Sequence, residues 1–260
     1  MNINLSGKRA LVTGSSNGIG QAIAIQLAEC GAKVAVTYRS DEEGGKETVE
    51  AVAKAGGEAF LCRLDVGDEG QIESVYEAMD KRWGGVDLVV SNAGIDGKRE
   101  VLWEIEGEDW MKVIEVNLLG TFHVARRALK RMVKQGDGVF LTVSSVHELV
   151  PWAGHTAYTA TKAACGMMIR SLALELGDSG VRVLSFAPGA IKTDINEDVW
   201  SDAGKLADLK KKVPMNRMGT VEEMAKAVAV LLSDAASYQT GTTIYADGGM
   251  SAYPSFSQGG

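Results

Sequence analysis

Tyr158 and Lys162 stand four residues apart in a segment, residues 157–176, whose apolar spacing predicts a helix. That spacing puts both side chains on one face, within reach of one bound group. An unperturbed phenol has a pKa near ~10 and is a poor base at neutral pH. An ammonium one turn away stabilises the phenolate and lowers that value, which makes Tyr158 a candidate acid/base. Ser145 lies thirteen residues earlier, at the end of an apolar β-branched run. Its hydroxyl is suited to hydrogen-bond an oxygen on which charge develops. Further polar residues gather nearby: His147 and Glu148 just after Ser145, Asp96 after the Asn92-Ala93-Gly94 turn, and Asn196 in a later polar stretch. Such groups suit a small polar substrate better than a long apolar one. His123, His147 and His155 lack ligand spacing, so no metal is expected.

A second constellation is Thr13-Gly14-Ser15-Ser16-Asn17-Gly18-Ile19-Gly20, between the first strand and the first helix. Glycines there let backbone N–H groups approach a pyrophosphate, and the helix N-terminus faces its charge. In that strand–turn–helix context the pattern predicts dinucleotide binding. The end of the second strand decides which dinucleotide. An acidic residue there would hold ribose hydroxyls and repel a 2′-phosphate. Here Tyr38 stands in that place and Arg39 follows it. A guanidinium matches phosphate geometry, so NADP is expected to be accepted, with NAD left open.

These residues need a scaffold. Strands are predicted at 9–13, 33–38, 59–64, 86–91, 139–144, 181–186 and 242–246, several of them continuous apolar runs as in parallel strands covered on both faces. Helical patterns lie between them, with starts marked by Ser40 and Glu43, Asp68 and Gln71, and Thr220 and Glu223. The alternation predicts one α/β domain over residues 1–260, a doubly wound parallel sheet of about seven strands. Residues 188–218 are polar and poorly periodic directly after the sixth strand, which makes them a candidate lid.

Composition narrows the class. With 45% hydrophobic and 23% charged residues, the chain is neither disordered nor fibrous. Its 27 Lys and Arg against 34 Asp and Glu, a net −7, argue against a nucleic-acid or anionic-membrane surface. Cys30, Cys62 and Cys165 are too widely spaced for a disulfide scaffold or a zinc site, as expected of a cytoplasmic protein. No apolar run reaches the length of a membrane span.

Taken together, the glycine turn, Asn92-Ala93-Gly94, Asp65-Val66 after the third strand, Pro188-Gly189 after the sixth and the Ser145, Tyr158, Lys162 spacing resemble the short-chain dehydrogenase/reductase family over essentially the whole chain. The resemblance implies an oxidoreductase with a catalytic tetrad Asn117, Ser145, Tyr158 and Lys162. Tyr158 then exchanges a proton with the substrate hydroxyl and Ser145 binds the same oxygen. Lys162 binds the nicotinamide ribose, and Asn117, placed in a long helix, holds a water on the proton path. Cofactor contacts are implied for Gly14, Ser16, Asn17, Gly18, Ile19, Gly20, Arg39, Asp65, Val66, Asn92, Ala93, Gly94, Pro188, Gly189, Ile191 and Thr193. Asp65 takes the adenine.

A narrower resemblance is to the bacterial glucose 1-dehydrogenases. It rests on Ser144-Ser145-Val146-His147-Glu148, Pro151-Trp152, Ile195-Asn196, Ala246-Asp247-Gly248-Gly249-Met250 and Tyr253-Pro254-Ser255-Phe256. It implies a sugar substrate, an aldose oxidised at the anomeric carbon, read by Asp96, Ser145, His147 and Asn196. The family also implies a homotetramer, built on the stripe Ala163, Ala164, Met167, Met168 and Leu172 with the tail 253–260 at a subunit contact. A 3-oxoacyl thioester reductase uses the same tetrad but would want a basic patch for an acidic carrier protein. A non-catalytic cofactor sensor should lack part of the tetrad.

Overall fold

Seven strands, β1 (Arg9–Val12), β2 (Lys33–Tyr38), β3 (Ala59–Arg63), β4 (Leu88–Ser91), β5 (Gly138–Val143), β6 (Val181–Pro188) and β7 (Thr242–Ala246), form one parallel sheet in the order β3-β2-β1-β4-β5-β6-β7. The computed structural model describes residues 3–252. The tail expected at a subunit contact, 253–260, lies outside them. Parallel neighbours require crossovers, supplied here by α1 (Gly18–Glu29), α2 (Glu42–Lys54), α3 (Glu69–Trp83), α4 (Gly107–Val113), α5 (Gly120–Gln135), α6 (Thr156–Glu175) and, after two short helices, α9 (Val221–Leu232).

Strand residues alternate between two cores. Val12, Val90, Leu141 and Leu184 join Ile23 and Leu27 of α1 and Val228 of α9 on one face. Leu11, Val89, Phe140 and Val183 join Tyr76 of α3, Val124 of α5 and Ile169 of α6 on the other. Burial on both faces explains the near-continuous apolar strands. Each such side chain contributes about 1.5–3 kcal/mol when fully buried. The chain leaves β1 toward β2 and β3 on one side, while β4 to β7 extend on the other. A crevice therefore opens between the carboxyl ends of β1 and β4.

Three local expectations change. Asp41, not Ser40, caps α2, because its carboxylate reaches the Gly44 N–H at 3.0 Å. The helix carrying Asn117 is not uniform: α4 passes into a π-helical turn, Ile114–Leu119, before α5 begins. The 188–218 stretch is not irregular either. It is pinched at its base where the Gly219 N–H donates to Ala190 and the Lys192 N–H to Gly219. Beyond the pinch it folds into a 3-10 turn (Asp194–Asn196) and the helices α7 (Glu197–Trp200) and α8 (Ala203–Lys210), the last capped by Asp202. Helices this short show little apolar periodicity, so the pattern was not readable. Among the described residues, no helix is long and apolar enough to cross a membrane.

Candidate active site

The two turns at the crevice are stitched together. The Thr13 hydroxyl accepts from the Asn92 and Ala93 N–H groups at 2.9 and 3.0 Å. The Asn92 amide donates to the carbonyls of Thr13 and Gly14 at 3.0 and 2.9 Å. Gly14 and Gly18 have φ of 62° and 56°, a region that favours glycine. A Cβ on Gly20 would collide with the Gly14 carbonyl oxygen. The start of α1 differs from those of α2, α3, α8 and α9, which are capped by Asp41, Asp68, Asp202 and Thr220. Asn17 makes no capping bond, and the first turn of α1 carries no acidic residue. Gly18, Ile19 and Gly20 of this uncapped turn line the crevice, as a pyrophosphate site requires. The cradle fits a dinucleotide.

One cavity of about 1540 Å³ runs along the crevice. At one end Arg39 is exposed on the rim, while Asp65 and Val66 form the wall. Asp65 is held in place because its carboxylate accepts from the Gly67 N–H at 2.9 Å. Further along come Gly14, Ser16, Asn17, Gly18, Ile19, Gly20, Asn92, Ala93 and Gly94, then Pro188, Gly189, Ile191 and Thr193 from the β6 side. At the other end are Ser145, Tyr158, Lys162, Asp96, His147 and Asn196. Every predicted site residue therefore lines this cavity except Asn117 and Glu148.

Tyr158 and Lys162 share a face of α6, with the ammonium 5.5 Å from the centroid of the phenol ring. Ser145 follows β5 in extended backbone, and its hydroxyl accepts from the His147 N–H at 3.2 Å. Lys162 is buried and donates to the Val143 carbonyl at 2.9 Å. Burial pushes the Tyr158 phenol above its ordinary pKa; the Ser145 hydroxyl pulls it down, and Asp96 pushes it up. The downward shift expected from Lys162 is therefore not what the protein alone produces, because desolvation outweighs the Ser145 hydrogen bond. Burial also lowers Lys162, opposed by the negative charge available at Cys165, Asp96 and Glu148.

Asn117 is placed beneath the cavity rather than on its wall. It sits in the π-helical turn, and its amide brackets Ile95, accepting from the N–H at 2.8 Å and donating to the carbonyl at 2.8 Å. Its own carbonyl takes the Thr121 hydroxyl at 2.7 Å. Such π turns recur at functional sites. In this structure Asn117 clamps the loop after β4 beneath the cavity.

The wall beside Tyr158 is a stack of rings. His147 lies 4.6 Å from Trp152 at 15°, and Trp152 lies 3.8 Å from His155 at 24°. The Val150 carbonyl is 2.9 Å from His147 Nδ1 and can only accept, so Nδ1 carries the proton. Burial holds this imidazole below its ordinary pKa, so it is neutral at pH 7 and Nε2 is left as an acceptor. Asn196 is braced within its own segment. It lines the cavity, but its amide accepts from the Thr193 N–H and donates to the Ile191 carbonyl, at 3.0 and 2.8 Å. Glu148 is not in the cavity at all; it points into the body of the protein toward Ser185 and Thr243.

Sequence reasoning missed the Thr13 clamp, the Trp152–His155 stack, and Arg99 and Lys210 on the cavity wall. Thr13 had a signal, a hydroxyl at the strand end next to the glycine turn. The others did not, because loops distant in sequence bring them to the site.

Comparison with known proteins agrees with this geometry. Residues 14–251 match the family described as enoyl-(acyl carrier protein) reductase. The chain is 42% identical over 261 residues to 3beta-hydroxysteroid dehydrogenase 1 of Eggerthella lenta, covering 98% of each chain. It is 41% identical over 253 residues to glucose 1-dehydrogenase 2 of Bacillus subtilis, covering 97% of this chain and 98% of the other. The solved gluconate 5-dehydrogenase of Burkholderia cenocepacia, in complex with NADP and tartrate, superposes with a TM-score of 0.90 at 32% identity, covering 96% of this chain and 98% of that one. The cradle, the tyrosine–lysine pair and relatives similar along nearly the full length lead to one conclusion: the chain belongs to the short-chain dehydrogenase/reductase family, NAD(P)-dependent oxidoreductases acting on CH–OH groups.

Proposed function

We propose that the protein is an aldose 1-dehydrogenase that oxidises a ring-form sugar at the anomeric carbon to a lactone. The observation that carries this reading is the wall beside Tyr158. There the bare Nε2 of neutral His147 and the Asp96 carboxylate offer acceptors to hydroxyl donors. A buried hydroxyl left without a partner costs about 1–3 kcal/mol, so a sugar needs such a wall. Similarity to the Bacillus subtilis enzyme supports the same reading.

In this proposal Tyr158 Oη takes the proton of the anomeric hydroxyl while Ser145 donates a hydrogen bond to the same oxygen. When bound, the nicotinamide accepts the hydride that leaves the anomeric carbon. Lys162 binds the ribose and supports the phenolate, and Asn117 keeps the 92–96 loop in place. The glycine turn, Asp65, Val66, Asn92-Ala93-Gly94, Pro188, Gly189, Ile191 and Thr193 hold the dinucleotide, and the 188–218 segment closes over the sugar. A second reading, oxidation of a hydroxyl on a larger apolar scaffold, has its own support, since Trp152, Leu209, Val213 and Met250 line the same cavity.

The test is nicotinamide absorbance with aldoses, polyols, hydroxysteroids and acyl thioesters. Aldoses are expected to be oxidised, and His147→Leu should lower kcat/KM on them about 5–30-fold, the loss of one hydrogen bond, with cofactor affinity unchanged. Turnover of a steroid or ketone with no aldose oxidised would overturn the sugar reading.

The proposal includes a homotetramer in a cytoplasmic setting, for which the three free cysteines suit a reducing compartment. Leu119 and Phe122 are exposed near the start of α5, and Met167 and Leu174 on α6 are 58% and 88% exposed. Large apolar side chains left in water on neighbouring helices mark an association surface. Met168 and Leu172, expected in that stripe, are partly buried instead. Light scattering at micromolar concentration should give four times the chain mass; a monomer would refute the assembly.

A further inference from the structure

Glu148 comes directly after His147 and three residues after Ser145, in the same turn as the site, yet its carboxylate faces away from the cavity. Its Oε2 accepts from the Ser185 hydroxyl of β6 at 3.0 Å, and Oε1 from the Thr243 hydroxyl of β7 at 2.7 Å. On the third side is α6, where a Cβ on Gly166 would collide with the carboxylate. Glycine inside a helix costs about 1 kcal/mol relative to alanine. Gly166 lies in a twenty-residue helix and is buried. The hollow it leaves is the space the carboxylate occupies.

Gly166 is also one helical turn after Lys162, and residues four apart have Cβ atoms about 5–6 Å from each other. The hollow that holds the Glu148 carboxylate thus lies one turn along α6 from the backbone of Lys162, whose side chain is buried, while Glu148 is partly buried. Neither has an oppositely charged partner within 4 Å among the described residues. Lys162 meets only the Val143 carbonyl, and Glu148 meets only two hydroxyls. Where one of two charges is shielded from water, attraction reaches beyond contact distance.

We infer that Glu148 is a positioning residue of the reaction: seated in the Gly166 hollow, it is the countercharge that keeps Lys162 an ammonium. The other groups facing Lys162 are Tyr158 and Cys165 on α6 and Asp96 in the loop after β4. Those on the Glu148 side are Arg170 on α6 and Tyr245 on β7. Asp96 opens on the cavity, where bound ligands change its surroundings. Glu148 faces away from the cavity, toward Ser185 and Thr243. The turn of residues 146–148 is anchored by the same contacts, so Ser145 and His147 are held with it.

The inference rests on the proton-transfer roles of Tyr158 and Lys162, not on the sugar reading. It is tested first without cofactor or substrate, by following the Lys162 signal against pH in protein made with isotope-labelled lysine, assigned with Lys162→Met. Glu148→Gln keeps the shape and removes the charge. It should lower the Lys162 titration midpoint by at least about half a pH unit. Glu148→Asp, which keeps the charge, should titrate like the parent. Gly166→Ala, which fills the hollow, should move the midpoint in the same direction as Glu148→Gln and serves if the glutamine variant fails to fold. In turnover, the high-pH fall of kcat should move down with the same variants. Coincident titrations of parent and Glu148→Gln, or of parent and Gly166→Ala, would overturn the inference. A shifted midpoint in a protein that oxidises no aldose would uphold it and reject only the sugar.

Discussion

Tyr158→Phe is expected to lower kcat by about 10²–10⁴-fold, the usual contribution of a positioned acid/base. Cofactor affinity should stay close to that of the parent, because the ring and its contacts remain. The uncapped start of α1 and the Thr13–Asn92 stitch, which shape the cradle, do not involve the phenol. The pH dependence should change as well. Burial raises the Tyr158 pKa, so the phenolate fraction, and with it the oxidation rate, grows as pH rises. Phenylalanine cannot titrate, so the residual rate should lose that rise. Stopped-flow turnover across pH, with cofactor binding measured by fluorescence, checks both. Activity within tenfold of the parent would remove Tyr158 from the proton-transfer role.

Arg39→Ala is expected to weaken NADP by about 1.5–3 kcal/mol, the range of a hydrogen bond to a charged group, and to leave NAD unchanged. The guanidinium is exposed on the cavity rim, so the lower end of that range, a little over tenfold, is the better expectation. Tyr38 before it carries no charge that would repel a 2′-phosphate, whereas Asp41 nearby is engaged with the Gly44 N–H. The measurement is Kd for each dinucleotide by titration calorimetry at two salt concentrations. The NADP loss should shrink at the higher one, as a screened exposed charge requires. Equal losses for both dinucleotides would mean that Arg39 does not read the phosphate.

The part of this protein legible in its sequence is the part governed by local rules. Parallel strands buried on both faces appear as unbroken apolar runs, and all seven were placed within about two residues of the observed ones. The glycine turn was legible because positive φ at 14 and 18 favours glycine and the close approach at 20 leaves no room for a Cβ. Tyr158 and Lys162 were legible because helical spacing alone puts them on one face. Even the α9 capping box, Thr220 with Glu223, is a four-residue matter.

What the tertiary structure decided is where side chains point once separate elements meet. His147 and Glu148 are neighbours in sequence, yet one faces the cavity and the other enters the hollow at Gly166, eighteen residues away. Asn196 has the chemistry of a sugar contact, but the pinched base of its segment brings Thr193 and Ile191 to its amide first. Asn117 fits a helical pattern, but its side chain is claimed by Ile95, twenty-two residues before it. The phenol's pKa is raised rather than lowered because desolvation depends on everything packed around α6, not on the lysine one turn away. Spacing along a chain determines which face of an element a residue occupies. Burial, hydrogen-bond competition and dielectric are set by elements distant in sequence, and those settle whether a polar group is left free to act.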